Sequence, residues 1–196
     1  MMKKRIFPVV AFALVLFASP SYAGLLYSKP ELMGKVIDAK TKEPIAGAVV
    51  SAFYEAMPYI DPNHVGTICI HTYETITDEN GRFHIPGYST LIWPLRTDNG
   101  MGLIIYKPGY SNYPTQSPLK KNVVHFFSPE NFGKEGKTRH FATGNWINYK
   151  DGVVELRKLV KWMDRMRAIP SPISCDIDDL PLLRKITIEE MDALGL

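Results

Sequence analysis

His71 and Glu74 are the pair in this chain that most resembles a catalytic motif, because zinc peptidases use the spacing His-x-x-Glu for metal ligands. Both residues fall in the extended run 67–76, which is rich in β-branched residues. Side chains alternate between the two faces of a strand, so we expect His71 and Glu74 to project from opposite faces. A zinc site also needs a third ligand. The pair therefore predicts no shared metal ion.

Other catalytic and metal-binding patterns are weak. The sequence has no Gly-x-Ser-x-Gly, P-loop or dinucleotide-binding motif. Asp176, Asp178 and Asp179 could suggest calcium, but they lack the glycine and distal glutamate of an EF-hand, and helix capping explains them more simply. We therefore expect no catalytic residues, no bound metal and no cofactor, so that the protein is not an enzyme.

Aromatic, amide and basic residues in predicted loops are the best candidates for ligand binding. The candidates are Trp93, Arg139, Asn145, Trp146 and Tyr149. Exposed aromatic rings beside amides can stack on sugars or anchor a protein partner. The alternative is that the rings fold inward and seal the ends of a small sandwich.

Residues 1–23 have the pattern of a secretory signal peptide. A basic start and the apolar run 6–17 precede Ser21 and Ala23, which stand where signal peptidase requires small residues. We expect cleavage before Gly24 and a periplasmic or secreted location. The apolar run is shorter than the roughly 20 residues that cross a membrane, so no membrane span is expected after cleavage.

The charge of the mature chain argues against nucleic-acid binding. The full sequence has 23 basic and 20 acidic residues, and three of the bases lie in the signal segment. Removing them leaves equal numbers of opposite charges, without the basic excess that nucleic-acid binding requires.

The two cysteines, Cys69 and Cys175, leave two possibilities open. In an oxidising compartment they could form a disulfide that ties the C-terminal segment to the sandwich. They could instead be two free thiols, because sequence alone does not bring their Cα atoms within bonding range.

Short apolar runs separated by turn signals predict about seven strands within residues 24–158. Pro108-Gly109 fits the central positions of a type II turn. The run 122–127 is predicted as a strand, and the Gly-, Lys- and Asn-rich stretch 128–151 as a long loop. These features predict one β-sandwich domain.

Residues 159–196 change to the apolar spacing of helices. The first helical pattern covers residues 156–166, and the second contains Thr187 and Glu190 in the spacing of a capping box, with Gly195 as a C-terminal cap. We expect both helices to pack on the sandwich as an extra layer. The alternative is a tail that docks on a partner.

Four turn and packing motifs together resemble those of a known family. They are Gly34-x-Val36-x-Asp38, Pro44-Ile45-x-Gly47-Ala48-x-Val50, Thr77-Asp78-x-x-Gly81-x-Phe83 and Lys107-Pro108-Gly109-Tyr110. Over residues 31–159 the chain resembles the carboxypeptidase regulatory-like domain. The resemblance implies a seven-stranded transthyretin-like β-sandwich, here with a short C-terminal helical appendage. Members accompany other domains and are not themselves peptidases, which implies binding or structural support.

We therefore expect an exported, non-catalytic binding or structural module of the cell envelope, with an envelope protein or a glycan as partner. A carbohydrate-binding module that uses the loop aromatics is the main alternative. A metal-dependent enzyme is the weaker one: intradiol dioxygenases share a related sandwich and bind iron through two tyrosines and two histidines. This chain has ten tyrosines and five histidines, but nothing in their spacing favours such a site.

Overall fold

The computed structural model describes residues 26–58, 66–92, 96–113, 122–139, 146–172 and 175–196. The predicted signal peptide, Trp93 and Asn145 lie outside these ranges. The described strands are β1 (Leu26–Lys29), β2 (Leu32–Asp38), β3 (Val49–Pro58), β4 (Ile68–Ile76), β5 (Arg82–Ile85), β6 (Tyr88–Leu91), β7 (Arg96–Tyr106), β8 (Glu135–Arg139), β9 (Trp146–Lys150) and β10 (Val153–Leu156). The described helices are α1 (Val123–Phe126), α2 (Trp162–Ala168), a 3-10 turn (Ile177–Asp179) and α3 (Pro181–Leu194).

The chain is mainly β and forms a β-sandwich, as predicted. One sheet has the strand order β10-β2-β5, and the other has the order β4-β3-β7. The β10–β2 pair is parallel, and the other pairs in these sheets are antiparallel. Two separate antiparallel pairs, β1–β6 and β8–β9, complete the described sheets.

The main core lies between the two three-stranded sheets. Strand β2 alternates buried and half-buried residues along its length, as expected when one face points into a core. The cluster contains inward residues of both sheets, among them Val36, Val50, Phe83, Leu103 and Leu156.

A second apolar cluster covers the opposite face of the β4-β3-β7 sheet. Val49, Ile104 and Tyr106 of β3 and β7 pack there against Leu180 and Leu183 of the C-terminal segment. Helix α3 therefore packs on the sandwich as an extra layer, which confirms the prediction for this one of the two helices. Among the described residues, no helix has the length and apolar character needed to cross a membrane.

Local turn chemistry agrees with the sequence predictions. The Tyr110 amide donates to the Lys107 carbonyl at 3.0 Å, and Gly109 has φ 79° at the position where a type II turn needs a positive value. Gly195, with φ 72°, ends helix α3 as predicted.

Three predictions of secondary structure were wrong. The run 122–127 contains helix α1, because the Asn122 side chain caps the Val124 amide and the turn buries both Phe126 and Phe127. The stretch 128–151 contains the β8–β9 hairpin in place of a loop. The helical pattern 156–166 yields a helix only from Trp162 onward.

Candidate functional site

The C-terminal segment 157–196, called the tail below, is fixed to the sandwich by a covalent bond. Cys69 on β4 and Cys175, just before the 3-10 turn, form a disulfide with a Cα–Cα distance of 5.0 Å. Close by, the Thr72 hydroxyl donates to the Asp179 carbonyl at 2.9 Å. The start of the last helical segment is therefore tied to one edge strand.

Glu74 holds the first turn of helix α3. Its carboxylate accepts the Leu182 amide at 2.7 Å, the Leu183 amide at 2.9 Å and the Ser51 hydroxyl at 2.7 Å. The first amides of a helix have no partner within it, and the helix start favours negative charge. Leu180, at the N-cap position, makes no side-chain cap. Glu74 thus caps a helix from a neighbouring strand.

The capping box predicted from the sequence was wrong, because Glu74 caps the helix and the helix begins before Thr187. Thr187 and Glu190 lie inside helix α3, which begins at Pro181. Proline at the first helical position needs no amide partner, which suits this start.

An ion pair between half-buried Arg165 and buried Glu190 holds the middle of the tail. Glu190, 2% exposed, accepts two hydrogen bonds from Arg165 of α2 at 2.8 and 2.7 Å. The Gly109 amide also donates to the Glu190 carboxylate at 3.3 Å. The hydrogen bonds with Glu190 raise the pKa of Arg165. This cluster joins both tail helices to the turn after β7.

The Tyr106 hydroxyl lies beneath the tail without a hydrogen-bond partner among the described residues. The residue is fully buried, and burial raises the pKa of its phenol, with a further contribution from the charge of Glu190. A buried hydroxyl without a partner is a cost to the folded state.

The tail carries exposed apolar residues, and we call those in residues 160–163 and at the end of α3 the tail patch. It consists of Val160, Trp162, Met163, Met191 and Leu196. Val160 is 89% exposed. The Trp162 indole donates to the Leu194 carbonyl at 2.9 Å, and the Leu196 amide donates to the Met191 carbonyl at 3.1 Å, so both helices contribute to the patch. From the sequence a docking tail was only the alternative prediction, because apolar residues at helical spacing normally form a core face.

The residues predicted to bind ligand are only partly brought together. Trp146 is 71% exposed and stands across from Arg139 in the β8–β9 register. Tyr149 lies three positions along β9 and so on the opposite face, where its ring covers Gly136 and packs against the main core. A surface depression of about 520 Å³ is lined by Asn148, Tyr149 and residues around them.

His71 and Glu74 point to opposite faces of β4, as predicted. His71 stacks on Tyr88 at 4.2 Å between ring centroids and lies 5.4 Å from the ring of Tyr54, whereas Glu74 faces the tail. Partial burial lowers the pKa of His71. Within the described ranges, no three His, Cys, Asp or Glu side chains are grouped closely enough to hold a metal ion.

Comparisons with known proteins leave the family open. No protein-family model matches the chain, and no curated protein matches it. One solved structure that matches is 3-chlorocatechol 1,2-dioxygenase from Rhodococcus opacus 1CP, at 19% identity and a TM-score of 0.32. The match covers 69% of this chain and 61% of the dioxygenase chain. A likeness at this TM-score supports no argument about fold or activity.

Proposed function

We propose that this chain is an exported, non-catalytic binding module of the cell envelope, built on a sandwich that resembles the carboxypeptidase regulatory-like domain. The observation that supports the proposal is the tail patch on its fixed base. Large apolar side chains gathered on a protein surface commonly mark an interaction site.

The attachment of the tail makes this surface suitable for binding. The disulfide, the Glu74 cap and the Arg165–Glu190 pair restrain the two helices that carry the patch. A surface that is ordered before binding loses less conformational entropy when a partner arrives. Such a scaffold can bind without any catalytic group.

A carbohydrate-binding module is the second candidate, supported by the exposed ring of Trp146. Trp146 and Asn148 share one face of β9, and Asn148 lines the depression in the hairpin. An aromatic ring beside an amide can stack on a sugar and hydrogen-bond its hydroxyls. The two candidates use different surfaces, so they can be separated by substitution.

The test is retention of envelope components by the immobilised mature chain and three variants. Val160→Ser with Met163→Ser changes the tail patch, Trp146→Ala changes the hairpin, and Leu91→Ser is a matched control because Leu91 is exposed elsewhere. Truncating the tail is unsuitable, because it would uncover the second apolar cluster.

We expect the tail-patch variant to lose what the unaltered chain retains, and the control to keep it. Loss on Trp146→Ala alone would favour the carbohydrate alternative. Retention of nothing by any form, together with turnover of a substrate, would contradict the proposal. Export is tested separately by the mass of the protein from the producing cell, which should begin at Gly24.

A further inference from the structure

We infer that the tail patch docks on an anionic lipid surface. This inference rests on the proposed binding function and names its partner. It draws on the apolar composition of the patch, the exposed basic side chains around it and its small size.

The apolar side chains of the patch can enter a lipid interface without burying an unsatisfied polar group. Val160, Met163 and Leu196 have no polar side-chain atoms that need a partner. Trp162 has one, its indole N–H, and the Leu194 carbonyl already accepts it. Burying a donor without a partner is costly, and here that cost is avoided. Tryptophan is also a common anchor at membrane interfaces.

Cations flank these side chains on the same segment. Within residues 157–168, the exposed basic side chains that form no ion pair with any described residue include Arg157, Lys161 and Arg167, whereas the charge of Lys158 interacts with that of Asp38. Asp164, half-buried, is the acid among them, and Asp192 is an exposed acid on the nearby end of α3. Basic residues beside exposed apolar ones are typical of segments that bind anionic lipid headgroups.

A lipid surface suits the patch better than a second protein. A stable protein interface buries about 800 Å² on each partner and uses roughly 20–30 residues, whereas the patch has five exposed apolar residues. At a membrane, long basic side chains keep their charge among headgroups while their stems cover apolar surface.

The test is co-sedimentation of the full mature chain with vesicles. One set is phosphatidylcholine alone, and the other contains about one-third phosphatidylglycerol. We expect binding to the anionic vesicles, which weakens between about 0.1 M and about 1 M salt because screening shortens the reach of the basic side chains.

Two pairs of substitutions separate the charged and apolar parts of the patch. Lys161→Glu with Arg167→Glu should weaken binding about tenfold or more. Val160→Ser with Met163→Ser should weaken vesicle binding about tenfold. The dependence of binding on salt concentration should stay the same. The controls are Lys137→Glu and Leu91→Ser, which change an exposed base and an exposed apolar residue elsewhere. Both controls should bind like the unaltered chain, and circular dichroism verifies that every variant is folded.

The inference would be overturned if the chain bound both vesicle types equally or bound neither. It would also be overturned if only the control variants lost binding. Self-association through the patch, seen by sedimentation velocity without vesicles and lost on Val160→Ser with Met163→Ser, would also overturn it. If vesicles fail but the same substitutions abolish capture from the envelope extract, the lipid inference fails and the proposed binding function stands. If both experiments fail, both proposals fall.

Discussion

The tail and the β8–β9 hairpin both present a tryptophan to solvent, but they are attached to the sandwich in different ways. The tail is held by a disulfide, an ion pair and a helix cap that comes from another element. The hairpin continues from the core through backbone hydrogen bonds between Gly133, Lys134 and Asp151, and Tyr149 packs beneath it.

The difference shows that the amino-acid composition of a segment and its attachment to the core can indicate different surfaces as the binding site. Arg139, Trp146 and Tyr149 were predicted from the sequence to bind a ligand, and all three lie in the hairpin. The tail has the more ordinary sequence, yet its exposed apolar residues stand on the more strongly restrained base. Rigid support is what allows exposed side chains to keep one arrangement. The following changes test this contrast, from the largest expected effect to the smallest.

Removing the disulfide should have the largest effect. We expect Cys69→Ser with Cys175→Ser to lower the free energy of unfolding by about 4 kcal/mol, because the bond closes a loop across 106 positions and limits the unfolded chain. Urea denaturation measures the loss, and reduction of the unaltered protein should reproduce it. A loss below about 1 kcal/mol would show that the other contacts hold the tail without the bond.

Removing the cap on helix α3 should have the next largest effect. Glu74→Ala leaves the amides of Leu182 and Leu183 without their acceptor, and we expect a loss of about 2 kcal/mol. Glu74→Gln should cost about half as much, since its amide oxygen can still accept a bond. Glu79→Ala is the exposed control, expected within about 0.5 kcal/mol of the unaltered protein. Equal stability of all three variants would contradict the capping role.

Adding a side-chain atom inside the hairpin should lower the free energy of unfolding by a smaller amount and leave the tail unaffected. A Cβ at residue 136 would overlap the Tyr149 ring, so Gly136→Ala should lower the free energy of unfolding by about 1.5 kcal/mol. Vesicle binding should be unchanged. A variant that lost vesicle binding while remaining folded would mean that the hairpin and the tail do not act separately.

Tyr106→Phe should stabilise the protein by about 1 kcal/mol, because it removes a buried hydroxyl that has no partner in the described part of the chain. The raised pKa of Tyr106 means that the folded state keeps its proton when the unfolded chain ionises. The contribution of this group to stability is therefore complete below its unfolded pKa of about 10 and is lost as the pH rises above it. Denaturation curves from neutral to alkaline pH should show the variant gaining relative to the unaltered chain as the pH rises. A destabilised variant would mean that the hydroxyl has a partner in solution.

The sequence predicted those features that depend on neighbouring residues. Pro108 and Gly109 specify a turn by their own backbone preferences, and Gly195 ends a helix in the same way. Alternation along β4 was enough to separate His71 from Glu74. Such features need no knowledge of the rest of the fold.

The features that escaped prediction depend on distant contacts. Val123, Val124, Phe126 and Phe127 favour a strand by composition, but helix α1 buries both phenylalanines in the core. The cap on α3 comes from a residue 108 positions away from the amide that it accepts, so no local pattern reveals it. For the tail, docking on a partner was only the alternative prediction, because a helical apolar pattern does not tell which apolar residues end up outside.

The position of Leu180 and Leu183 near the C-terminal end has a consequence for biosynthesis. A chain leaves the ribosome from its N-terminus, so Val49, Ile104 and Tyr106 are made before the residues that cover them. Until the last segment emerges, one face of the β4-β3-β7 sheet is apolar and open to other chains. Contacts so far apart in sequence also form slowly. The growing chain therefore passes through a stage in which premature association competes with docking of helix α3.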